Sequence, residues 1–239
     1  MSSLTKSRLF STFIWDTRLQ WRQGLYVAAL FVIGLWVLVL TQLPPSTVEL
    51  LLPFILFFDL SVFGFYFMAG LLFLEKGDGV LEALVVSPLR SWEYLVSKVA
   101  TLTLLAVLVS IVVVVTLQGV RLNWFYLIAG VALNSWFLVL VGFILAAGYD
   151  SVTDFLIPSI VFVVPSQIPA LDYFGIWQNW LVYLVPTQPA MLLLAGAFDG
   201  LATWQVLYAF GYGLAACLCA TWWARRSFAR FVVRSAGGS

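Results

Sequence analysis

The sequence has no histidine, only two cysteines, and charged residues at just 10% of its 239 positions. Without histidine there is no His-Glu-x-x-His, and Gly-x-Ser-x-Gly is also missing, so zinc hydrolysis and the common serine arrangement lack their residues. No Gly-x-x-x-x-Gly-Lys-Ser/Thr occurs either, so any use of ATP relies on a phosphate-binding loop from another chain. Cys217 and Cys219 are two apart in an apolar run, where a helix points them to different faces, and neither a disulfide nor a metal pair is expected. A formal net charge of +1 provides no basic field for nucleic acid. These absences point away from an enzyme and towards a role carried by shape and position.

What is present is apolar. Hydrophobic residues make up 63% of the chain and the mean hydropathy is +1.03, values that place it in the membrane class as one all-α polytopic domain. No cleavable signal pattern precedes the first apolar run, so the first helix is expected to remain. Residues 26–43 form an uninterrupted apolar stretch, about 27 Å long as a helix and close to the ~30 Å of a hydrocarbon core. Pro44-Pro45 stops it. Further spans are predicted at 48–74, 99–118, 124–149, 152–168 and 201–224. Between the fifth and sixth, residues 169–200 hold Pro169, Gly175, Pro186, Pro189 and Gly196, a pattern of short re-entrant helices on the outer side. Trp177, Trp180 and Tyr183 suit the outer interfacial belt, and Pro186-Thr187-Gln188-Pro189 suits the turn of a hairpin or a gate hinge.

Residues 4–22 read as a helix lying in the membrane interface. Leu9, Phe10, Phe13, Ile14 and Trp21 fall on one side, and Arg8, Thr12 and Asp16 on the other. With six spans and both termini inside, eleven of the twelve basic residues are cytoplasmic and only Arg121 lies outside. Seven spans would place the four tail arginines of 225–239 outside and weaken the asymmetry to seven against five, so six spans are predicted.

This topology puts 75–95 in the cytoplasm. The stretch Glu75 to Arg90 gathers Glu75, Lys76, Asp78, Glu82 and Arg90 between two apolar runs. Gly77 and Gly79 permit a tight turn, Leu81, Leu84 and Val85 make an apolar face of two turns, and Pro88 ends the helix. Two turns do not stand alone, so this helix is expected to dock on a partner.

Glu75, Gly79-Val80-Leu81-Glu82, Leu84 and Ser87-Pro88, followed by Trp92-Glu93 and Lys98, resemble the first cytoplasmic loop of ABC-2 type transporter membrane subunits. The usual form there is acid, Gly-Thr-Leu-Glu, Leu, Ser or Thr, Pro, and Val80 stands where Thr is commoner. The six spans, the amphipathic first helix and the broken segment before the last span match as well. The resemblance to that family thus covers nearly the whole chain, and by overall likeness the chain is similar to small permeases described as fluoroquinolone exporters. The resemblance implies that Glu75, Asp78, Gly79, Leu81, Glu82, Leu84, Ser87 and Pro88 couple to a separate ATP-binding subunit, present in two copies and holding ATP and Mg. It also implies a second permease subunit, either a homodimer or a related heterodimer, in the cell membrane of a prokaryote. The alternative is a secondary transporter or channel that needs no partner; such proteins usually carry several intramembrane charges and internal repeats, and here a single acid lies mid-span.

That acid is Asp59, and a carboxylate near the bilayer centre costs about 2.5–3.5 kcal/mol on insertion scales. Two readings stay open. Asp59 either lines a cavity and accepts a cationic or zwitterionic substrate, or bonds to a neighbouring helix through Asn134, Ser135 or Ser61. Asp59, Phe63, Tyr66, Asn134 and Phe137 are the candidate substrate-pathway residues, although helix packing and lipid contact account for most of the aromatics.

Overall fold

A computed structural model describes residues 14–79 and 91–236, excepting the side chains of Ser91 and of residues beyond 228. The predicted docking helix, with Leu81, Glu82, Leu84, Ser87 and Pro88, lies outside the described residues. Among those described the fold is helical throughout: α1 (Ile14–Arg22), α2 (Leu25–Leu40), α3 (Pro45–Gly77), α4 (Ser91–Leu117), α5 (Trp124–Ala146), α6 (Val152–Ser166), α7 (Ile168–Tyr173), a 3-10 turn (Trp180–Leu184), α8 (Gln188–Asp199) and α9 (Thr203–Ala236).

Among the described residues five helices are long and apolar enough to cross a membrane, one of them α6 and α7 taken together, and six if α1 and α2 count as one broken span. The break is a 66° bend at Gly24, whose φ of 75° lies in the left-handed region that glycine adopts without strain. α2 has 16 residues, two short of the eighteen-residue apolar run in the sequence. Its last turn frays where the Thr41 hydroxyl bonds back to the carbonyls of Val37 and Leu38. α4 starts eight residues before the predicted 99, because Ser91-Trp92-Glu93 places an acid in the first turn, where it suits the helix dipole. α9 continues through the predicted tail to Ala236, since neither glycine nor proline interrupts it after Gly213. In α6, Pro158 and Pro165 are accommodated within the helix. The hydroxyls of Ser159 and Ser166, each just after a proline, donate to the carbonyls of Leu156 and Val163, three residues back.

α5 is the central pillar, packed against α3, α4, α8 and α9. Small residues allow this. A Cβ at Gly142 would lie 2.5 Å from the Phe65 carbonyl oxygen of α3, so the two backbones meet there. Gly142→Ala is expected to lower stability by about 3 kcal/mol, because the obstacle is backbone and cannot rotate away. Gly70→Ala, with nothing within 4 Å of the new Cβ, should be neutral or mildly stabilising. Thermal midpoints in detergent compare the two; equal midpoints would contradict the close-approach account.

The re-entrant segment returns deep into the bundle. α8 buries Pro189, Met191, Leu193, Leu194 and Ala197 against α5, α9 and α3. Pro186-Thr187-Gln188-Pro189 is a turn tied down at both ends: the Thr187 hydroxyl donates to the Ser166 carbonyl at 2.6 Å, and Gln188 Nε2 to Asp172 Oδ2 at 3.0 Å.

Candidate functional site

The two described ends of the 75–95 stretch meet in a buried ionic knot. Lys98, 0% exposed, extends its ammonium to Asp16 Oδ1 at 2.7 Å and Glu75 Oε1 at 2.5 Å, and lies 5.4 Å from the centre of the Tyr94 ring. The Tyr94 hydroxyl donates to the second Glu75 oxygen and the Ser97 hydroxyl to the second Asp16 oxygen. Gln20 Nε2 donates to the Thr101 hydroxyl at 2.8 Å. Each carboxylate thus has the Lys98 ammonium and a hydroxyl as partners, and Lys98 has both carboxylates, the condition under which such groups persist without water. Beside it, Lys76 Nζ reaches the carbonyls of Ala146, Ala147 and Tyr149, the last at 2.5 Å, capping the C-terminal end of α5.

This arrangement changes the reading of two predicted features. Glu75 faces the bundle interior, whereas Asp78 is exposed and Gly79, at φ 68°, turns the chain after α3. Part of the polar side of the first helix faces protein: Asp16 and Gln20 are buried, whereas Ile14, Trp15, Arg18, Trp21 and Arg22 are exposed. The signal was present in the spacing. Asp16 and Gln20 are four apart, as are Ser97 and Thr101, so each pair shares a helix face.

The substrate-pathway candidates fall in three places. Asp59 and Phe63 border a groove of about 60 Å³ between α2, α3 and α4, with Ala29, Val32, Leu102 and Val109. The Trp36 side chain lies beside the Asp59 carboxyl. That volume holds a few water molecules and no drug-sized ligand. Asn134 is committed elsewhere, donating to the Phe57 carbonyl at 3.3 Å and to Ser61 Oγ at 3.1 Å, and Ser135 pairs with Thr103. The Tyr66 hydroxyl bonds Ser159 at 2.9 Å and joins α3 to α6. Phe137 borders a much larger cavity of about 720 Å³ between α5, α6 and α9, which sequence reasoning did not anticipate. Phe162, Leu184, Tyr212 and Trp223 wall it, and Ala215, Ala216 and Ala220 open it by their small size. At its outer end the Tyr212 and Tyr208 hydroxyls cap the carbonyls of Leu184 and Tyr183 at 2.6 Å each. Burial, and then the charge of Asp172, push the Tyr183 phenol above its ordinary pKa.

A bundle of apolar helices with a half-buried acid in one groove and a drug-sized apolar cavity in another defines a polytopic membrane protein of the transport class. Residues 7–236 match the fluoroquinolones export permease protein family, and the chain belongs to it. It is 37% identical over 236 residues to the fluoroquinolones export permease proteins of two Mycobacterium tuberculosis strains, CDC 1551 / Oshkosh and ATCC 25618 / H37Rv. Each alignment covers 97% of this chain and 99% of the relative. No solved structure matches the chain significantly.

Proposed function

We propose that the chain is the membrane-spanning permease subunit of an ATP-driven ABC exporter that moves a hydrophobic or amphipathic drug, a fluoroquinolone among the compounds expected, out of a prokaryotic cell. The observation that carries this reading is membership, over residues 7–236, in a family of drug-export permeases. The missing phosphate loop assigns ATP and Mg to a separate ATP-binding subunit, two copies of which dock on the 75–95 loops of two permease chains. Both termini face the cytoplasm on the charge asymmetry. The 720 Å³ cavity has the size and the apolar lining to hold an aromatic ligand arriving from the bilayer.

The test is the purified permease reconstituted with its ATP-binding subunit in lipid vesicles. A fluoroquinolone is expected to stimulate ATP hydrolysis and to accumulate on the outward side only when ATP is present. Transport driven equally well by an ion gradient without ATP would favour the partner-independent transporter.

Asp59 supplies a second check. Its carboxyl is half-buried and open to the groove, with Trp36 beside it. Asp59→Asn should spare export of a neutral compound and slow that of a cationic or zwitterionic one by about tenfold, the loss of roughly one charge contact with a substrate that passes when the groove is wider than it is here. Equal loss for both substrates, with normal assembly, would assign Asp59 to packing.

A further inference from the structure

The surface by which α1 meets the bundle is polar, which is unusual where lipid surrounds the helices. Asp16 and Gln20 on α1 face Ser97, Lys98 and Thr101 on α4, and the contact between them consists of directional hydrogen bonds and one ion pair. In lipid, apolar seams are held by van der Waals packing, whose individual contacts are weak and yield to small shifts. Charge-assisted hydrogen bonds are short, angularly restricted and stronger where water is excluded. A joint made of them resists sliding and rolling.

Position gives the joint its meaning. Glu75 is two residues from the end of α3, and Lys98 is in the second turn of α4, so the knot closes the base of the loop between these helices. Its third member, Asp16, belongs to α1, which passes through the bend at Gly24 into α2. α2 supplies Ala29 and Val32 to the groove that contains Asp59, and Trp36 to the Asp59 carboxyl. A continuous mechanical path therefore runs from the loop, through Lys98, to the wall of that groove.

We propose that the Asp16–Lys98–Glu75 knot is the joint through which movement of the loop between α3 and α4 is carried to α1, to α2 and to the Asp59 groove. Asp16 and Lys98 are then positioning residues for the coupling of ATP hydrolysis to export. This rests on the ATP-driven reading above.

The experiment opens the joint on one side while leaving its charges balanced. Asp16→Cys with Ser97→Cys, in a Cys217→Ser/Cys219→Ser background, keeps Lys98 and Glu75 as a neutral pair, so the fold is expected to persist. The variant is reconstituted with the ATP-binding subunit, and a fluorescent fluoroquinolone serves as the probe. With thiols free, export should fall by about tenfold while ATP hydrolysis stays near wild type. Bridging the two thiols with a short bis-methanethiosulfonate should restore export without adding charge. Wild-type export with the thiols free, or no difference between free and bridged states, overturns the proposal. Asp16→Asn is the milder variant: it keeps the Ser97 bond, removes the charge, and should lower export per ATP hydrolysed; an unchanged ratio there also overturns the joint. Wild-type export that needs no ATP is a separate result, which refutes the ATP-driven reading and the joint with it.

Discussion

Lys98→Met is expected to eliminate most of the folded protein. The side chain is fully buried, and its ammonium is the cation paired with both Asp16 and Glu75. Without it two carboxylates remain close together in a site that excludes water. Breaking a buried ionic group by removing one partner costs about 3–5 kcal/mol, a large part of the stability of a typical domain. The variant should therefore give little monodisperse protein on size exclusion in detergent. Replacing the whole knot is a different matter. In Asp16→Asn/Glu75→Gln/Lys98→Met no charge is left unpaired, and the new amides still accept from Ser97 and Tyr94. That triple variant should recover most of the yield. A single Lys98→Met protein as stable as wild type would show that the knot contributes little to the fold.

The second large effect is expected at the loop. Glu82→Arg with Leu84→Asp should abolish co-purification with the ATP-binding subunit and, with it, ATP-dependent export, while the permease itself folds normally. One change reverses a charge and the other places a carboxylate beside Leu81 and Val85, the apolar residues that the sequence pattern predicts to dock. The two-turn helix predicted there would have no independent stability, so its contact with a partner would depend on those residues. Burying an unpaired aspartate there is strongly unfavourable. Undiminished association and normal drug-stimulated hydrolysis in this variant would remove the loop from the coupling path. Glu75 stands apart from this prediction, because its carboxylate is enclosed by Lys98 and Tyr94.

The Trp180 to Phe198 run shows how chain pattern and tertiary structure divide the information. Its prolines at 186 and 189 announced a break, and the break is there, between the 3-10 turn and α8. The pattern did not say how deep α8 would go. That depth follows from Gly130 on α5, where an added Cβ would come within 3.1 Å of both Leu193 and Leu194. The last helix is a similar case: hydropathy ended it at 224, whereas backbone propensity carries it on to Ala236. The 720 Å³ cavity was not legible at all, because it is a space between α6 and α9 left by alanines that read in sequence as ordinary span residues.

By itself the sequence determined that this is an all-helical membrane domain and roughly where its apolar helices lie. These follow from local quantities, run length and helix breakers. Only the tertiary structure decided which polar residues meet. Asp16, Glu75 and Lys98 are 82 positions apart at their extremes and come together because three helix ends converge, turning part of the polar side of the first helix inward. Asp59 was visible as an isolated charge, but its place beside Trp36 and the commitment of Asn134 to Phe57 and Ser61 depend on how α2 and α5 pack around α3. A charge buried in an apolar bundle requires a partner, and the partner's identity is a matter of packing that no single stretch of chain contains.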